Sequence, residues 1–198
     1  SLEDCGAPLF YFSPLHAREL PGQLDGLDMG GGFPEVFAEE LEANISFRAS
    51  MASALENGLP AYAECGAMMY LCSSIRTLPS FGKRRSFNMA GFFTQHAIMT
   101  DRLQPFGYVK VTLLRDCLLG KAGTAFRAHE FHYACIDEQD AEPLYLIEKE
   151  DGRSWKGGLC KKNVVAGFPH LHFYGCPDIA AAFLSNCRNR TTYAEHSL

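Results

Sequence analysis

Leu59-Pro60-Ala61-Tyr62-Ala63-Glu64-Cys65-Gly66-Ala67-Met68-Met69 reads as a short apolar strand that gives way at Cys65 to a helix. The strand is expected over residues 59–63. The helix is expected over residues 66–74, with Met68, Met69, Leu71 and Cys72 as its apolar surface. A sharp turn between the two lifts the side chain at the junction above a sheet and sets it at the first-turn N–H groups of the helix. Upstream, residues 26–29 predict a strand that runs into Gly30-Gly31-Gly32-Phe33-Pro34, with Pro34 in the first turn of a helix reaching Leu41. A further helix is expected over residues 46–57. Ser46 caps it, Phe47, Met51, Ala54 and Leu55 form its inner stripe, and Gly58 ends it. Strand, glycine loop, helix, strand, helix together predict an α/β fold with parallel central strands.

Further out the pattern changes. Leu9-Phe10-Tyr11-Phe12 reads as a short strand, and strands are also expected over residues 108–114, 126–136, 143–147 and 163–173. In the first of these later four, Val109, Val111 and Leu113 alternate with Lys110 and Thr112. Strands without helices between them predict an antiparallel extension of the mixed sheet in the second half. Pro177 opens a last helix containing Ile179, Ala180, Ala181, Phe183 and Leu184. No repeat or linker divides the chain, so one domain over residues 1–198 is the simplest organisation. At 198 residues and 47% hydrophobic content, a domain can bury roughly 70% of its unfolded surface.

A formal net charge of −5 gives no general attraction to nucleic acid or an anionic membrane, and neither is expected as a partner. The run Lys83-Arg84-Arg85 reads as a solvated loop. No segment approaches the ~20 apolar residues of a membrane helix. Eight cysteines occur without a CxxC pair, which favours reduced thiols and a cytoplasmic location over a disulfide framework.

Three motifs carry chemistry. Cys65 at the helix start has the setting of an activated thiol, although a small buried cysteine is also ordinary core material. Gly66 leaves room for a substrate. Gly30-Gly31-Gly32 permits positive φ and can turn N–H groups into a cavity, so that Gly31 or Gly32 joins Gly66 in an oxyanion hole; a phosphate nest and a plain tight turn are the other readings. Phe168-Pro169-His170-Leu171-His172-Phe173 puts His170 and His172 on one face of a regular strand, where an imidazole can exchange a proton with a thiol. His129-Glu130-Phe131-His132 is a fourth cluster. Its strand-like setting lacks the helical HExxH spacing, so it reads as a carboxylate–imidazole wall rather than a zinc site, and no metal is expected.

Taken in order, Leu27-Asp28-Met29-Gly30-Gly31-Gly32-Phe33-Pro34-Glu35, Ala63-Glu64-Cys65-Gly66, Met99-Thr100-Asp101-Arg102-Leu103 with Phe106-Gly107-Tyr108, Arg127-Ala128-His129-Glu130-Phe131-His132-Tyr133 and His170-Leu171-His172-Phe173 resemble the glutaminase domain of the cobyrinic acid a,c-diamide synthase family. That family lies within the class I, or triad-type, glutamine amidotransferases, and the resemblance covers roughly residues 25 to 185. It implies a flavodoxin-like α/β fold, with helices on both faces of a largely parallel core, and ammonia supply for ATP-dependent amidation of tetrapyrrole carboxylates. It also implies that Cys65 is the nucleophile and His170 its base. Many class I relatives carry a Glu two places after the His; here that place holds His172, and Glu130 is the substitute if the fold brings it close. The glutaminase itself needs no cofactor. ATP and Mg²⁺ belong to a family-like N-terminal synthetase domain, absent from these 198 residues, which acts in cis or in trans and binds most of the tetrapyrrole. A homodimer is compatible with this reading. The rival readings are an amidotransferase-like binding or assembly domain and a cysteine hydrolase of another substrate.

Overall fold

In a computed structural model, which describes residues 2–78, 85–137 and 141–189, the strands Leu27–Met29, Ala61–Glu64 and Val164–Gly167 lie side by side and parallel. Leu27 pairs with Ala61 and Met29 with Ala63, while Val164 pairs with Ala61 and Gly167 with Glu64. All three strands therefore end at one edge of the sheet, and the segment leaving each of them starts there. The strand Leu159–Lys161 closes the far side antiparallel to Val164–Gly167.

Alternation along these strands feeds two cores. Ala61 and Ala63, with Val164 and Ala166, face Phe47, Met51 and Leu55 of the helix Ile45–Glu56 and Met68 and Leu71 of the helix Gly66–Leu71. Tyr62 and Val165 face the other way, onto Ile179, Phe183 and Leu184 of the helix Pro177–Asn189. Phe47, Met51 and Leu55 are each 0% exposed, and burying such side chains stabilises by about 1.5–3 kcal/mol apiece. Helices thus cover both faces of the parallel sheet, and the fold is the mixed α/β, flavodoxin-like type.

The antiparallel half forms a sheet of its own. Its strands run in the order Ser154–Gly157, Tyr145–Glu148, Gly107–Leu113, Ala125–Glu130, His170–Leu171. Val109, Val111, Phe126, Ala128 and Leu171 turn into the second core. A third sheet, ordered Ser86–Asn88, Ser74–Arg76, His96–Met99, Ala134–Ile136, packs on the first core through Phe87, Ile75, Ala97, Met99 and Ala134.

Several expectations need correction. Residues 9–12 are not a strand: Phe10 and Tyr11 are exposed and pair with no strand among the described residues. The helix Ala38–Ala43 begins later than Pro34, after a turn over residues 34–37. Asn44, not Ser46, caps Ile45–Glu56, its side-chain oxygen accepting from the N–H of Phe47 (3.3 Å). The expected strand 126–136 breaks into Ala125–Glu130 and Ala134–Ile136, which join different sheets. The expected strand 163–173 ends at Gly167, resumes for His170–Leu171 only, and passes into a 3-10 turn over Phe173–Gly175. Of the basic run, Arg85 ion-pairs with Glu39 at the surface, and Lys83 and Arg84 fall outside the described residues.

Candidate active site

Each of the three parallel strands delivers one part of the site. Leu27–Met29 leads into the glycine loop, Ala61–Glu64 ends at Cys65, and Val164–Gly167 leads through Phe168-Pro169 to His170. Binding at the carboxyl ends of parallel strands is the general habit of open α/β sheets. Here the register enforces it, for the N–H of Cys65 donates to the carbonyl of Gly167 (2.7 Å) and ties the two outgoing segments together.

Cys65 sits at φ 46°, ψ −105°. A non-glycine residue in that region stores about 1–3 kcal/mol of backbone strain, which the surroundings must hold in place. The consequence is the sharp strand-to-helix turn anticipated above, with Cys65 as N-cap of Gly66–Leu71 and 8% exposed. The next residue must be glycine for a steric reason. A Cβ on Gly66 would stand 2.5 Å from the carbonyl oxygen of Gly32 and 2.8 Å from Pro34 Cδ. The glycine loop is therefore packed directly against the turn.

Gly31 is held to glycine by a similar approach. A Cβ there would lie 2.7 Å from His170 Cε1 and 3.8 Å from Cys65 Cβ. None of Gly30, Gly31 and Gly32 adopts positive φ, so the run provides closeness rather than the left-handed conformation expected of it. No backbone carbonyl among the described residues accepts from the N–H of Gly31, Gly32 or Gly66.

His170 is half-buried and bridges two partners. Its Nδ1 lies 3.5 Å from Glu64 Oε2. Cys65 first and Glu64 second, both favouring the protonated ring, push it up to about 10 against the opposing effect of burial. Glu64 is itself fixed from behind, because its Oε1 accepts from the N–H of Leu171 (2.7 Å) and the hydroxyl of Tyr62 (3.0 Å). One carboxylate thus anchors both the ring of His170 and the backbone that follows it. Sulfur, imidazole and carboxylate form a continuous line, with glycine amides beside the sulfur.

The model of the CobB/CobQ-like glutamine amidotransferase domain family matches residues 1–177. The chain belongs to this family. It is 45% identical over 176 residues to a cobyrinate a,c-diamide synthase of Listeria monocytogenes serotype 4b (strain F2365), an alignment covering 87% of the chain and 38% of the relative. It is 39% identical over 188 residues to the enzyme of that name from Caldanaerobacter subterraneus subsp. tengcongensis, covering 94% and 41%. The enzyme of that name from Methanosarcina acetivorans is 40% identical over 194 residues, covering 92% and 39%. The chain spans about two fifths of the length of these relatives.

Within this glutamine amidotransferase domain, the other two residues considered for the acid's place stand elsewhere. His172 is exposed, its ring 5.7 Å from that of Tyr174 at the entrance to the 3-10 turn. His172 keeps extended backbone (φ −103°, ψ 105°) before the 3-10 turn, and it is Glu64 that lies 3.5 Å from Nδ1 of His170. Glu130 is 1% exposed and lies on the core side of its strand with Phe126 and Ala128, while His129 turns outward to Tyr108. Burial pushes the Glu130 carboxyl up to about 7, opposed by a hydrogen bond with Trp155 and by the charges of His170 and Lys149. His132 stacks on Phe168 at 3.7 Å and donates from Nδ1 to the carbonyl of Ala134 (2.7 Å); burial pushes it down to about 4. Residues 129, 130 and 132 of the amidotransferase domain thus do not converge as a ligand set.

Sequence reasoning missed Glu64 as the partner of His170. Its position directly before Cys65 was in view, but the Glu64–Gly167 register and the bond to Leu171 are non-local. The available signal was the two-residue spacing from Tyr62, which puts both side chains on the sheet face toward the His170 segment.

Proposed function

We propose that this domain hydrolyses the side-chain amide of glutamine at Cys65 and passes the ammonia to an ATP-dependent synthetase partner. The observation that carries the proposal is the Cys65–His170–Glu64 line, in which His170, raised by Cys65 and Glu64, takes the thiol proton. The Cys65 sulfur attacks the amide carbon, and the carbonyl oxygen takes up negative charge. N–H groups of Gly66 and of Gly31 or Gly32 stabilise that oxygen, each well-placed donor contributing about 3 kcal/mol. His170 gives its proton to the departing nitrogen, leaving a γ-glutamyl thioester and free ammonia. The neutral imidazole then takes a proton from water, the resulting attack breaks the thioester, and glutamate leaves. Glu64 positions the ring throughout and offsets its charge.

The names of the relatives support a cobyrinic-acid-type tetrapyrrole carboxylate as the final acceptor of the ammonia. Activation of that carboxylate belongs to the partner, in cis or in trans, as do ATP and Mg²⁺. Among the described residues no group of three or more His, Cys, Asp or Glu side chains is placed to hold a cation. Within the glycine loop, Gly31 packs against His170 and Cys65.

Glutaminase turnover of the full-length protein tests this reading. Cys65→Ala is expected to lose at least about 10⁴-fold in kcat, with the overall fold retained by circular dichroism. Equal turnover by the parent and the variant would end the proposal.

A further inference from the structure

Tyr62 is 2% exposed and points into the second, apolar core, yet it carries a hydroxyl group. Its ring stands edge-on to Phe173 (centroids 5.8 Å apart) and to Phe183 (6.5 Å), and those two rings stack on each other at 6.0 Å. Phenylalanine would fill the same slot without the cost of burying a phenol, and a buried Tyr O–H needs a partner. The partner is Glu64, two places on along the same face of the strand, whose Oε1 accepts from the hydroxyl at 3.0 Å.

The donors to Glu64 Oε1 come from the two segments that must meet in the site. Tyr62 belongs to the strand that ends at Cys65, and the N–H of Leu171 (2.7 Å) to the segment that carries His170. Oε2 is left to face His170 Nδ1 at 3.5 Å. With both donors in place the plane of the carboxylate is set. With the Leu171 N–H alone, the side chain pivots about one hydrogen bond and Oε2 swings relative to the ring. The aromatic seat adds a constraint from behind. Phe173 closes the motif that carries His170 and Phe183 belongs to the helix Pro177–Asn189, so Tyr62 is wedged by the segment it helps to align. Burial first, then the neighbouring Tyr145, Glu64 and Asp28, push the phenol well above its ordinary value, so the hydroxyl keeps its proton and remains a donor.

We propose that Tyr62 is a positioning residue of the glutaminase: its hydroxyl fixes the Glu64 side chain, and Glu64 in turn holds the His170 ring against Cys65. The proposal rests on the glutaminase reading above. It goes beyond that reading by placing part of the alignment of the site in a buried aromatic cluster behind it.

A double-mutant cycle in the full-length protein tests this. Tyr62→Phe removes the hydroxyl and keeps the ring, so circular dichroism should not change. Its kcat for glutamine is expected to fall about 10-fold with KM within about twofold, the pattern of an interaction made in the transition state. In a Glu64→Ala background the same substitution should change kcat by less than about twofold, because the carboxylate that transmits the effect is gone. Equal losses in both backgrounds mark a merely structural role and overturn the proposal, as does an unchanged kcat in Tyr62→Phe or a loss confined to KM. Should Glu64→Ala not fold, Glu64→Gln takes its place, since a neutral amide no longer anchors a protonated ring, and the same outcomes apply.

Alkylation of Cys65 by iodoacetamide, followed by mass spectrometry of its peptide, gives a readout that needs no glutamine turnover. The rate should fall at least about threefold in Tyr62→Phe, as the ring that takes the thiol proton loses its alignment, and should not respond in the Glu64→Ala background. A rate indifferent to Tyr62→Phe overturns the proposal. A parent protein without glutamine turnover removes the glutaminase reading, and the alkylation cycle still decides whether Tyr62 aligns His170 with Cys65. Normal turnover with equal losses in both backgrounds removes the role of Tyr62 alone.

Discussion

Two glutamates end strands in different halves of the fold, and they are in opposite states. Glu64, at the end of a parallel strand, has both oxygens engaged, by Leu171, Tyr62 and His170. Glu130, at the end of an antiparallel strand, is more deeply buried and keeps one oxygen unpartnered. The difference separates two tasks that one residue type can perform. A carboxylate satisfied from behind cannot move and so orients its neighbour. A buried carboxylate left short of donors carries a desolvation cost that an arriving cation relieves.

The largest expected effect that sharpens this comparison comes from Glu64→Gln, which keeps the shape and removes the charge. We expect kcat to fall by about 10³-fold, because the proton-carrying ring loses its orientation and its counter-charge. The Cys65 contact remains, so His170 should fall only part of the way from about 10 towards its ordinary 6.5. The sign for stability follows. A raised imidazole stabilises the folded state fully below 6.5, and that contribution is lost as pH rises through about 10. Urea midpoints of the parent and Glu64→Gln should therefore differ most near pH 6.5 and converge at about pH 10. A gap that widens with pH would contradict the pairing of Glu64 with a protonated His170.

A smaller effect is expected at Gly31, where the constraint is steric. Gly31→Ala puts a methyl group 2.7 Å from His170 Cε1, so the ring or the loop must shift. A displacement of under 1 Å away from proton-transfer geometry suggests a loss of about 10- to 100-fold in kcat. Because Gly31 does not use positive φ, the unfolding midpoint should change little. Substantial loss of stability with kcat retained would mean that the loop, not the ring, carries the contact.

These sites differ in how far the sequence exposed them. The parallel core was legible because each of its signals is local: the Phe47/Met51/Leu55 stripe, the glycine run after an apolar strand, and Cys65 before Gly66. The helix boundaries were less so, as Asn44 took the cap from Ser46 through a side-chain bond that composition does not single out. Residues 9–12 have a strand's composition but find no partner strand among the described residues, and β propensity without a partner forms no ladder. At the site, Cys65 and His170 were visible as residue types in fitting surroundings. The role of Glu64 depends on which residue of Val164–Gly167 stands opposite it, and such a register is a property of the assembled sheet.

The smallest effect tests the same point from the other side. A regular strand through residues 163–173 would put His172 two residues beyond His170 on the same face, where it could stand in for the acid. The chain leaves extended geometry only after His172, whose ring is exposed beside Tyr174 while its carbonyl accepts from the N–H of Gly175 (2.8 Å). That hydrogen bond uses backbone atoms, so truncating the side chain leaves it in place. His172→Ala should therefore keep kcat and KM within about twofold and stability within about 0.5 kcal/mol, as for a surface change away from any buried contact. A loss approaching that of Glu64→Gln would mean that the working form of the site draws His172 inward. In that event the contrast between the two glutamates would no longer account for how His170 is held.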